Sequence, residues 1–278
     1  MENAVKTKEL KVGYDEHIVV PNFDATFIKG KVTSIIGPNG CGKSTVLKAI
    51  GRILKKSGGQ IFINEKDISE LKSKDIAKEL AILPQSPSAP GSVTCYELVA
   101  YGRYPYQKGF GKLSEEDKKI IEWALEVTNM GEFASREIGS LSGGQRQRVW
   151  ISMALAQQTD IIFLDEPTTY LDLNYQLEIL ELLKKLNEEQ GITVVMVLHD
   201  LNLASKYSDY LIAMKDGEIV KFGTPKEVIT KEILGQCFKI DADIKFLEND
   251  KPVCFNYELL RMNKESEETK EEKVEEEK

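Results

Sequence analysis

The feature that most constrains this fold is the nonapeptide Gly37-Pro38-Asn39-Gly40-Cys41-Gly42-Lys43-Ser44-Thr45. It fits Gly-x-x-x-x-Gly-Lys-[Ser/Thr], the pattern of a phosphate-binding P-loop. The β-branched apolar run 32–36 before it predicts a buried parallel strand, and residues 43–50 after it have helical spacing. A glycine turn between a strand and a helix points backbone N–H groups at one position, where Lys43 adds a cation for phosphate and Ser44 a hydroxyl for Mg²⁺. The stretch therefore predicts a nucleoside triphosphate site.

An acidic pair supplies the second half of such a site. The apolar run Ile161–Leu164 predicts a buried strand that ends at Asp165 and Glu166. Because parallel sheets bind ligands at the carboxyl ends of their strands, we expect Asp165 to hold the Mg²⁺ that Ser44 also binds. Glu166 is then placed to act as base for a water that attacks the γ-phosphate. The alternative, a buried strand that merely ends in two acids, is disfavoured by the upstream P-loop.

The order of the predicted elements indicates an α/β fold. The patterns predict short antiparallel strands over residues 5–36, a turn over residues 55–59 and an all-helical insert over residues about 86–158. From residue 160 onward strands and helices alternate, which is typical of a parallel sheet covered by helices. We predict a P-loop NTPase core with a mostly parallel sheet, an N-terminal antiparallel β subdomain and an inserted all-helical subdomain, within a single domain over residues 1–262.

The charge distribution argues against a nucleic-acid partner. Net charge is −8, and in residues 264–278 eight Glu face four Lys, so about half of the excess lies at this end. The rest of the chain is only mildly acidic, which does not suit a broad nucleic-acid-binding surface. Residues 263–278 contain a single Val among charged and polar residues, so we predict a disordered acidic tail there.

Cysteine, histidine and hydropathy patterns exclude other classes. The four cysteines form no Cys-x-x-Cys pair, and with two histidines the chain offers little for a structural zinc site. We expect free thiols in a reducing cytosol, with Cys41 a bystander in the phosphate loop. The first residues have no apolar signal-peptide core, and no run approaches the roughly eighteen apolar residues of a membrane helix. We predict a cytosolic protein, or one bound to a membrane only through a partner.

The chain contains a third motif, Leu141-Ser142-Gly143-Gly144-Gln145, which predicts a second anion-binding helix terminus. One nucleotide does not need two such helix termini within one fold. If two copies of the chain paired head to tail, the second terminus of each copy would close the nucleotide site of the other. Leu-Ser-Gly-Gly-Gln between a P-loop and an Asp-Glu strand end resembles the ATP-binding-cassette (ABC) ATPases, whose signature motif it is. The resemblance covers roughly residues 5–240, and the expected motifs occur in order.

The resemblance implies ATP with Mg²⁺ as ligands and gives roles to four further residues. Tyr14 matches the aromatic that stacks on adenine, and Gln85 matches the glutamine that senses Mg²⁺ and the γ-phosphate in a loop touching the transporter partner. Asp172 matches the acid of the D-loop, although Thr169 stands where serine is commoner. His199 matches the histidine that contacts the γ-phosphate. Without the family, these residues would indicate only a surface tyrosine, a loop glutamine and structural polar groups.

Two short segments, YGRYPY at residues 101–106 and EPTTYLD at residues 166–172, resemble the corresponding sequences of ATPases from importers of iron–siderophore complexes, haem and cobalamin. This resemblance implies an ATP-hydrolysing homodimer at the cytoplasmic face of a membrane, peripheral through a polytopic permease that works with an extracytoplasmic substrate-binding protein. Residues 104–106 have a second interpretation, as packing at a helix end.

Two alternatives stay open at this point. One is an importer ATPase for another small solute or a bare metal ion. The other is a soluble ABC ATPase outside transport. Soluble members usually carry two cassettes, long coiled-coil inserts or zinc modules, and the sequence shows none of these patterns.

Overall fold

The computed structural model describes residues 2–107, 112–247 and 249–260. The predicted acidic tail, residues 263–278, and the predicted domain end at residue 262 lie outside these ranges. The strands, in chain order, are β1 (Asn3–Tyr14), β2 (His17–Phe23), β3 (Thr26–Ile28), β4 (Val32–Ile36), β5 (Lys56–Ile63), β6 (Lys66–Asp67), β7 (Leu80–Leu83), β8 (Ile161–Leu164), β9 (Thr193–Val197), β10 (Tyr210–Lys215), β11 (Glu218–Gly223), β12 (Ile240–Phe246) and β13 (Pro252–Leu259). The helices are α1 (Lys43–Ile50), α2 (Ser73–Glu79), α3 (Cys95–Ala100), α4 (Glu115–Val127), α5 (Gly143–Ala156), α6 (Leu173–Gln190), α7 (Leu201–Tyr207), α8 (Pro225–Val228) and α9 (Lys231–Phe238).

The central sheet holds six strands in the order β11-β10-β4-β9-β8-β7. Strands β10, β4, β9, β8 and β7 run parallel, and β11 joins antiparallel through a hairpin with β10. Every residue of β4, β8 and β9 is buried, as expected for parallel strands that are covered on both faces. The predicted α/β fold with a mostly parallel sheet is therefore confirmed.

The N-terminal sheet is antiparallel, in the order β2-β1-β5-β6, with β3 also paired to β1. The predicted turn over residues 55–59 is wrong, because β5 begins at Lys56 and pairs with the long strand β1. The glycines of this stretch mark a register irregularity instead, where Gly59 (φ 74°) faces Glu9 (φ 48°). A distant partner strand, rather than local turn chemistry, decided this segment.

The helices α3, α4 and α5 lie between β7 and β8, together with a 3₁₀ turn at Tyr101–Tyr106. Capping boxes begin α3 at Thr94 and α4 at Ser114. Helix α5 begins at Gly143, because Ser142 caps it. In the described ranges no helix combines the length and the apolar composition that crossing a bilayer requires.

The hydrophobic core forms two layers, one on each face of the central sheet. Side chains of β4 alternate between them: Val32 and Ile36 pack with the helices α3–α6, and Ile35 packs with α1 and the N-terminal sheet. The loop after β4 therefore emerges between the two layers, where both hold it in place.

A C-terminal hairpin of β12 and β13 was not predicted, although apolar residues alternate at positions 240, 242, 244 and 246. Side chains of α7 bind the backbone of this hairpin. Asn202 Nδ2 donates to the Cys254 carbonyl at 3.0 Å, and the Cys254 N–H donates to Asn202 Oδ1 at 2.7 Å. Ser205 Oγ adds a bond to the Pro252 carbonyl at 2.7 Å.

Candidate active site

Four sequence motifs meet at one edge of the central sheet because the strands before them are parallel neighbours. The P-loop follows β4, Gln85 follows β7, Glu166 follows β8 and His199 follows β9. These strands are adjacent in the order β4-β9-β8-β7. Their carboxyl ends open at the same edge, which is where α/β proteins bind ligands.

Two glycines shape the P-loop. Gly42 takes a left-handed backbone (φ 98°) as the N-cap of α1, and a Cβ there would lie 2.7 Å from Val20 Cγ2. A Cβ on Gly37 would lie 2.3 Å from the Met214 carbonyl oxygen. Both positions therefore require glycine. Since Gly42 brings no side chain to cap α1, the first N–H groups of the helix stay available to an anion.

The ammonium group of Lys43 lies across this loop. Its Nζ donates to the Gly37 carbonyl at 2.8 Å and to the Pro38 carbonyl at 2.9 Å, and the side chain is buried. An ammonium has three N–H donors, so one remains for a phosphate oxygen. Beside it, burial raises the pKa of the Cys41 thiol, which keeps that group neutral.

Ser44 and Asp165 form the candidate metal site. Ser44 Oγ donates to Asp165 Oδ1 at 2.7 Å. Among the residues that the structure describes, Asp165 Oδ2 is one of two buried side-chain polar atoms without a hydrogen-bond partner. Burial also raises the pKa of Asp165. A divalent cation would satisfy the orphaned oxygen and offset the buried charge, and Mg²⁺ prefers such oxygen ligands, so the two residues fit Mg²⁺.

Glu166 is held by three side chains at the end of β8. His199 Nε2 lies 2.7 Å from Oε1, while Gln85 Nε2 and Thr169 Oγ1 donate to Oε2 at 2.6 Å and 3.0 Å. Its backbone is left-handed (φ 54°), an uncommon conformation for a residue other than glycine. Burial alone would raise the pKa of Glu166, but the bonds from His199, Thr169 and Gln85 outweigh it and lower the pKa. The carboxylate is therefore kept ionised, as a base must be.

Lys43, Ser44, Gln85, Glu166, Thr169 and His199 line one cleft of about 500 Å³ at the carboxyl edge of the sheet, whereas Asp165 is not among the residues that line it. Its walls are formed by the P-loop and the start of α1, by three residues after β7, β8 and β9, and by two residues after Glu166, namely Asn39, Gly40, Gly42, Lys43, Ser44, Thr45, Gln85, Glu166, Thr169, Tyr170 and His199. A fixed carboxylate beside a P-loop and a candidate metal site is an arrangement that can activate water for phosphoryl transfer.

The signature motif stands apart from this cleft. Ser142 caps α5 in a box with Gln145, whose side-chain oxygen accepts from the Ser142 N–H at 3.1 Å. Ser142 and Gly143 are exposed, and within the described ranges residues 142–145 contribute nothing to the cleft walls. One chain thus presents a second helix N-terminus on its surface, apart from the cleft.

Tyr14 and Asp172 also lie outside the cleft. Tyr14 ends β1, is 46% exposed and borders a neighbouring groove with Lys55 and Lys56. Asp172 is exposed at the N-cap position of α6, and its side chain makes no capping bond. Their nucleotide roles stay predictions.

Two cleft residues were not predicted to lie there. Thr169 was noted only as a departure from the commoner serine, yet its hydroxyl binds Glu166. Tyr170 has a left-handed backbone (φ 63°) and a side chain that is 92% exposed at the cleft rim. The sequence did contain a signal for the role of Thr169. Its hydroxyl lies three residues after the strand-end acid Glu166, a spacing at which a turn can bring the two side chains together.

A P-loop, a strand-end Asp-Glu pair and helices inserted into a parallel sheet define a P-loop nucleotide hydrolase. Within that class, the family model described as ABC transporter matches residues 20–169, more than half of the chain. The chain belongs to the ABC transporter family, and within it to the ATP-binding, ATP-hydrolysing subunits.

Relatives cover nearly the whole chain. Iron(3+)-hydroxamate import ATP-binding protein FhuC of Bacillus subtilis (strain 168) is 54% identical over 264 residues, which are 95% of this chain and 98% of that protein. Petrobactin import ATP-binding protein FpuD of Bacillus anthracis is 47% identical over 244 residues, 88% of this chain and 89% of that protein.

Solved structures share the fold. An inward-facing ABC transporter assigned to the metal-chelate type aligns with a TM-score of 0.79 and 28% identity, over 94% of this chain and 98% of that one. The ATP-binding cassette MJ0796, in a dimeric post-hydrolysis state bound to ADP and Pi, aligns with a TM-score of 0.69 and 35% identity, over 79% of this chain and 98% of that one.

Proposed function

We propose that this chain is the ATP-hydrolysing subunit of an importer for iron(III)–siderophore complexes, with hydroxamate chelates as the first class to test. The reaction is supported by one arrangement: Glu166 held by His199, Gln85 and Thr169 beside the P-loop cleft. The substrate class is supported by the 54% identity to FhuC across almost the full length of both chains.

The proposed reaction is ATP + H₂O → ADP + Pi. A water oxygen forms a bond to the γ-phosphorus while the bond from that phosphorus to the β–γ bridging oxygen breaks. Glu166 accepts the proton of the water, and the charge that develops on the phosphates is stabilised by Lys43 and the N–H groups of α1. Because His199 and Gln85 already bind Glu166, the same side chains reach the part of the cleft where the γ-phosphate would lie.

Ser44, Asp165 and Gln85 are the residues proposed to hold Mg²⁺. The orphaned Asp165 Oδ2 and the Ser44 hydroxyl are the oxygens that support this site. The Nε2 of Gln85 is engaged by Glu166, so its carbonyl oxygen is the atom it can offer to the metal. When bound, Mg²⁺ would offset the charge of the β- and γ-phosphate oxygens.

The working unit proposed is a homodimer with two composite sites. The exposed signature terminus, residues 142–145, would close over the nucleotide in the second copy, with Asp172 at the junction of the two chains. Tyr14 would stack on adenine next to its own P-loop. The dimeric state of the MJ0796 cassette supports this arrangement for a chain of the same fold.

The proposed location is the cytoplasmic face of a membrane, through a polytopic permease served by an extracytoplasmic substrate-binding protein. Within the segment 101–106, some side chains pack against the protein and others are exposed to a partner. Pro105 is buried and the Tyr106 ring stacks on Arg103 at 4.0 Å, whereas Tyr104 is 74% exposed. Tyr104, together with Tyr101, which is 57% exposed, is therefore the part of this segment that we expect to touch the permease.

The hydrolytic role is tested with Glu166→Gln. This variant should bind ATP with Mg²⁺ but hydrolyse it at least 100-fold more slowly, since a general base typically contributes roughly 10²–10⁴-fold. It should also accumulate as an ATP-bound dimer in size-exclusion chromatography. Normal turnover by this variant would refute Glu166 as the base.

The substrate class is tested by uptake. Cells that lack the gene should lose accumulation of ⁵⁵Fe supplied as a trihydroxamate chelate, and the wild-type gene but not Glu166→Gln should restore it. Parallel assays with a catecholate chelate and with unchelated iron separate the siderophore classes from a bare metal ion. Unchanged hydroxamate uptake in the deletion strain would reject the proposed substrate.

A further inference from the structure

The signature helix α5 touches the core at a point that the reaction described above does not use. The ring of Tyr175, in the first turn of α6, lies against the backbone of Gly144. A Cβ on Gly144 would be only 2.9 Å from that ring, closer than real contacts allow. Gly144 is buried, whereas the residue before it, Gly143, is exposed.

An ion pair joins the same two helices one turn further along. Arg148 on α5 pairs with Glu178 on α6, and the two side chains are 15% and 41% exposed. The guanidinium also donates to the Thr128 carbonyl at the end of α4, at 3.4 Å. Because Tyr175 and Glu178 are three residues apart on α6, and Gly144 and Arg148 four apart on α5, both contacts lie on facing sides of the two helices.

Helix α6 follows directly from the segment that holds the catalytic carboxylate. The hydroxyl of Thr169 donates to Glu166, and Gln176 Nε2 donates to the Leu171 carbonyl at 2.8 Å, which ties the segment 166–172 to the first turns of α6. A continuous series of contacts therefore runs from Gly144 through α6 to Glu166.

We propose that Tyr175 and the Arg148–Glu178 pair form a latch that fixes the signature helix relative to the segment 166–172 of the same chain. The latch makes the position of Ser142 depend on the position of Glu166. This inference rests on the proposed composite sites, in which the signature motif of one chain contacts the ATP bound to the second copy. The latch connects that ATP to Glu166 of the chain that supplies the signature motif. Tyr175, Arg148 and Glu178 are positioning residues, because they act through Ser142 and Glu166.

The first test measures the latch in one chain without nucleotide. Spin labels are placed at Glu116→Cys on α4 and Lys221→Cys on β11, both exposed, while the four native cysteines are buried. The parent protein should give a narrow distance distribution. Tyr175→Ala combined with Glu178→Ala should widen it about twofold, because α5 and the packed α4 lose their contacts with the first turns of α6, while the buried second half of α5 stays packed on the core.

Two control variants make this measurement specific. Tyr175→Phe keeps the ring over Gly144 and should retain the narrow distribution. Glu189→Ala removes an ion pair with Lys185 on the same helix α6, away from α5, and should also leave it unchanged. A distribution in the Tyr175→Ala/Glu178→Ala protein that matches the parent would overturn the latch.

The second test is steady-state ATP hydrolysis. The double variant should lower kcat by about 2- to 30-fold, the range for mutations along a coupled network, and should reduce the Hill coefficient for ATP toward 1. In the double variant KM should change less than kcat. The single variant Tyr175→Phe should keep the parental kcat and Hill coefficient. Parental kcat and Hill coefficient in a double variant with only a lowered Tm would assign these residues to packing alone and refute the proposal.

The two proposals fail in distinguishable ways. If Glu166→Gln neither stalls hydrolysis nor traps a dimer, the proposed function is wrong. The spin-label distances still decide whether the latch exists, since they need neither ATP nor a second copy.

Discussion

The buried ion pair between Arg103 and Asp117 should be the most costly polar contact to break in the helical insert. Arg103 Nε donates to Asp117 Oδ1 at 2.7 Å, and the side chains are 5% and 10% exposed. The same guanidinium donates to the Ala156 carbonyl at 2.8 Å and lies under the Tyr106 ring. Asp117 in turn caps α4 by accepting from Ser114, so the ion pair as a whole joins the 3₁₀ turn, the start of α4 and the end of α5.

The perturbation is Asp117→Asn, which keeps the size of the side chain and one acceptor but removes the charge. Arg103 is then left as a buried cation without a counter-charge. Removing one partner of a buried pair costs about 3–5 kcal/mol, and the retained amide oxygen places this variant near the lower end. For a domain of this size, about 3 kcal/mol lowers Tm by about 6–12 °C.

The pH dependence has a definite sign. Burial would raise the pKa of Asp117, but the bonds from Arg103 and Ser114 outweigh it, so the pKa lies below its ordinary value. A lowered folded-state pKa gives stability that is present above the unfolded pKa and is lost as pH falls through the folded one. The stability difference between parent and variant should therefore stay constant from pH 7 to about 5 and shrink only at more acidic pH.

Urea unfolding followed by circular dichroism at a series of pH values measures both effects. The matched control is Glu115→Gln on the same helix, whose partner Lys118 is exposed; it should not shift the midpoint measurably. An Asp117→Asn midpoint equal to that of the control, or a difference that grows toward acidic pH, would refute the reasoning.

Three further predictions concern single contacts. Thr169→Ala should lower kcat about tenfold or more, because a hydrogen bond to the charged Glu166 is lost, and Thr169→Ser should recover most of it; equal rates in both variants would contradict this. Asp165→Asn should raise Tm in the absence of Mg²⁺, because it removes a buried charge of which one oxygen has no hydrogen-bond partner. The same variant should abolish Mg²⁺-dependent hydrolysis. A lower Tm without Mg²⁺ would contradict this. Asn202→Ala should lower stability by about 1–3 kcal/mol because both backbone groups of Cys254 lose their partner, and unchanged urea unfolding would contradict it.

Local elements were predictable because adjacent residues specify them. The P-loop with its flanking strand and helix, and the strand Ile161–Leu164 that ends before Asp165, appear where the sequence predicted. Capping boxes at Thr94 and Ser114 likewise begin α3 and α4. In each case a turn, a cap or a short apolar period is formed by neighbours in the chain.

Segments that depend on distant partners were harder to predict. The glycine-rich stretch at residues 55–59 became part of β5 because the long strand β1 offers it backbone partners. The hairpin of β12 and β13 is held by Asn202 on α7, more than fifty residues before Cys254. Nothing within either segment specifies these partners.

The sequence by itself determined the kinds of residue in the site and their order: a P-loop, a glutamine, a signature motif, an Asp-Glu pair and a histidine. Only the tertiary structure decided how they act on one another. Gln85 and Glu166 are 81 residues apart and meet at 2.6 Å because β7 and β8 are parallel neighbours. The contact of Tyr175 with Gly144 likewise follows from helix packing. A local pattern fixes backbone conformation, whereas the distance between remote side chains is set by strand order and helix packing, which no short stretch encodes.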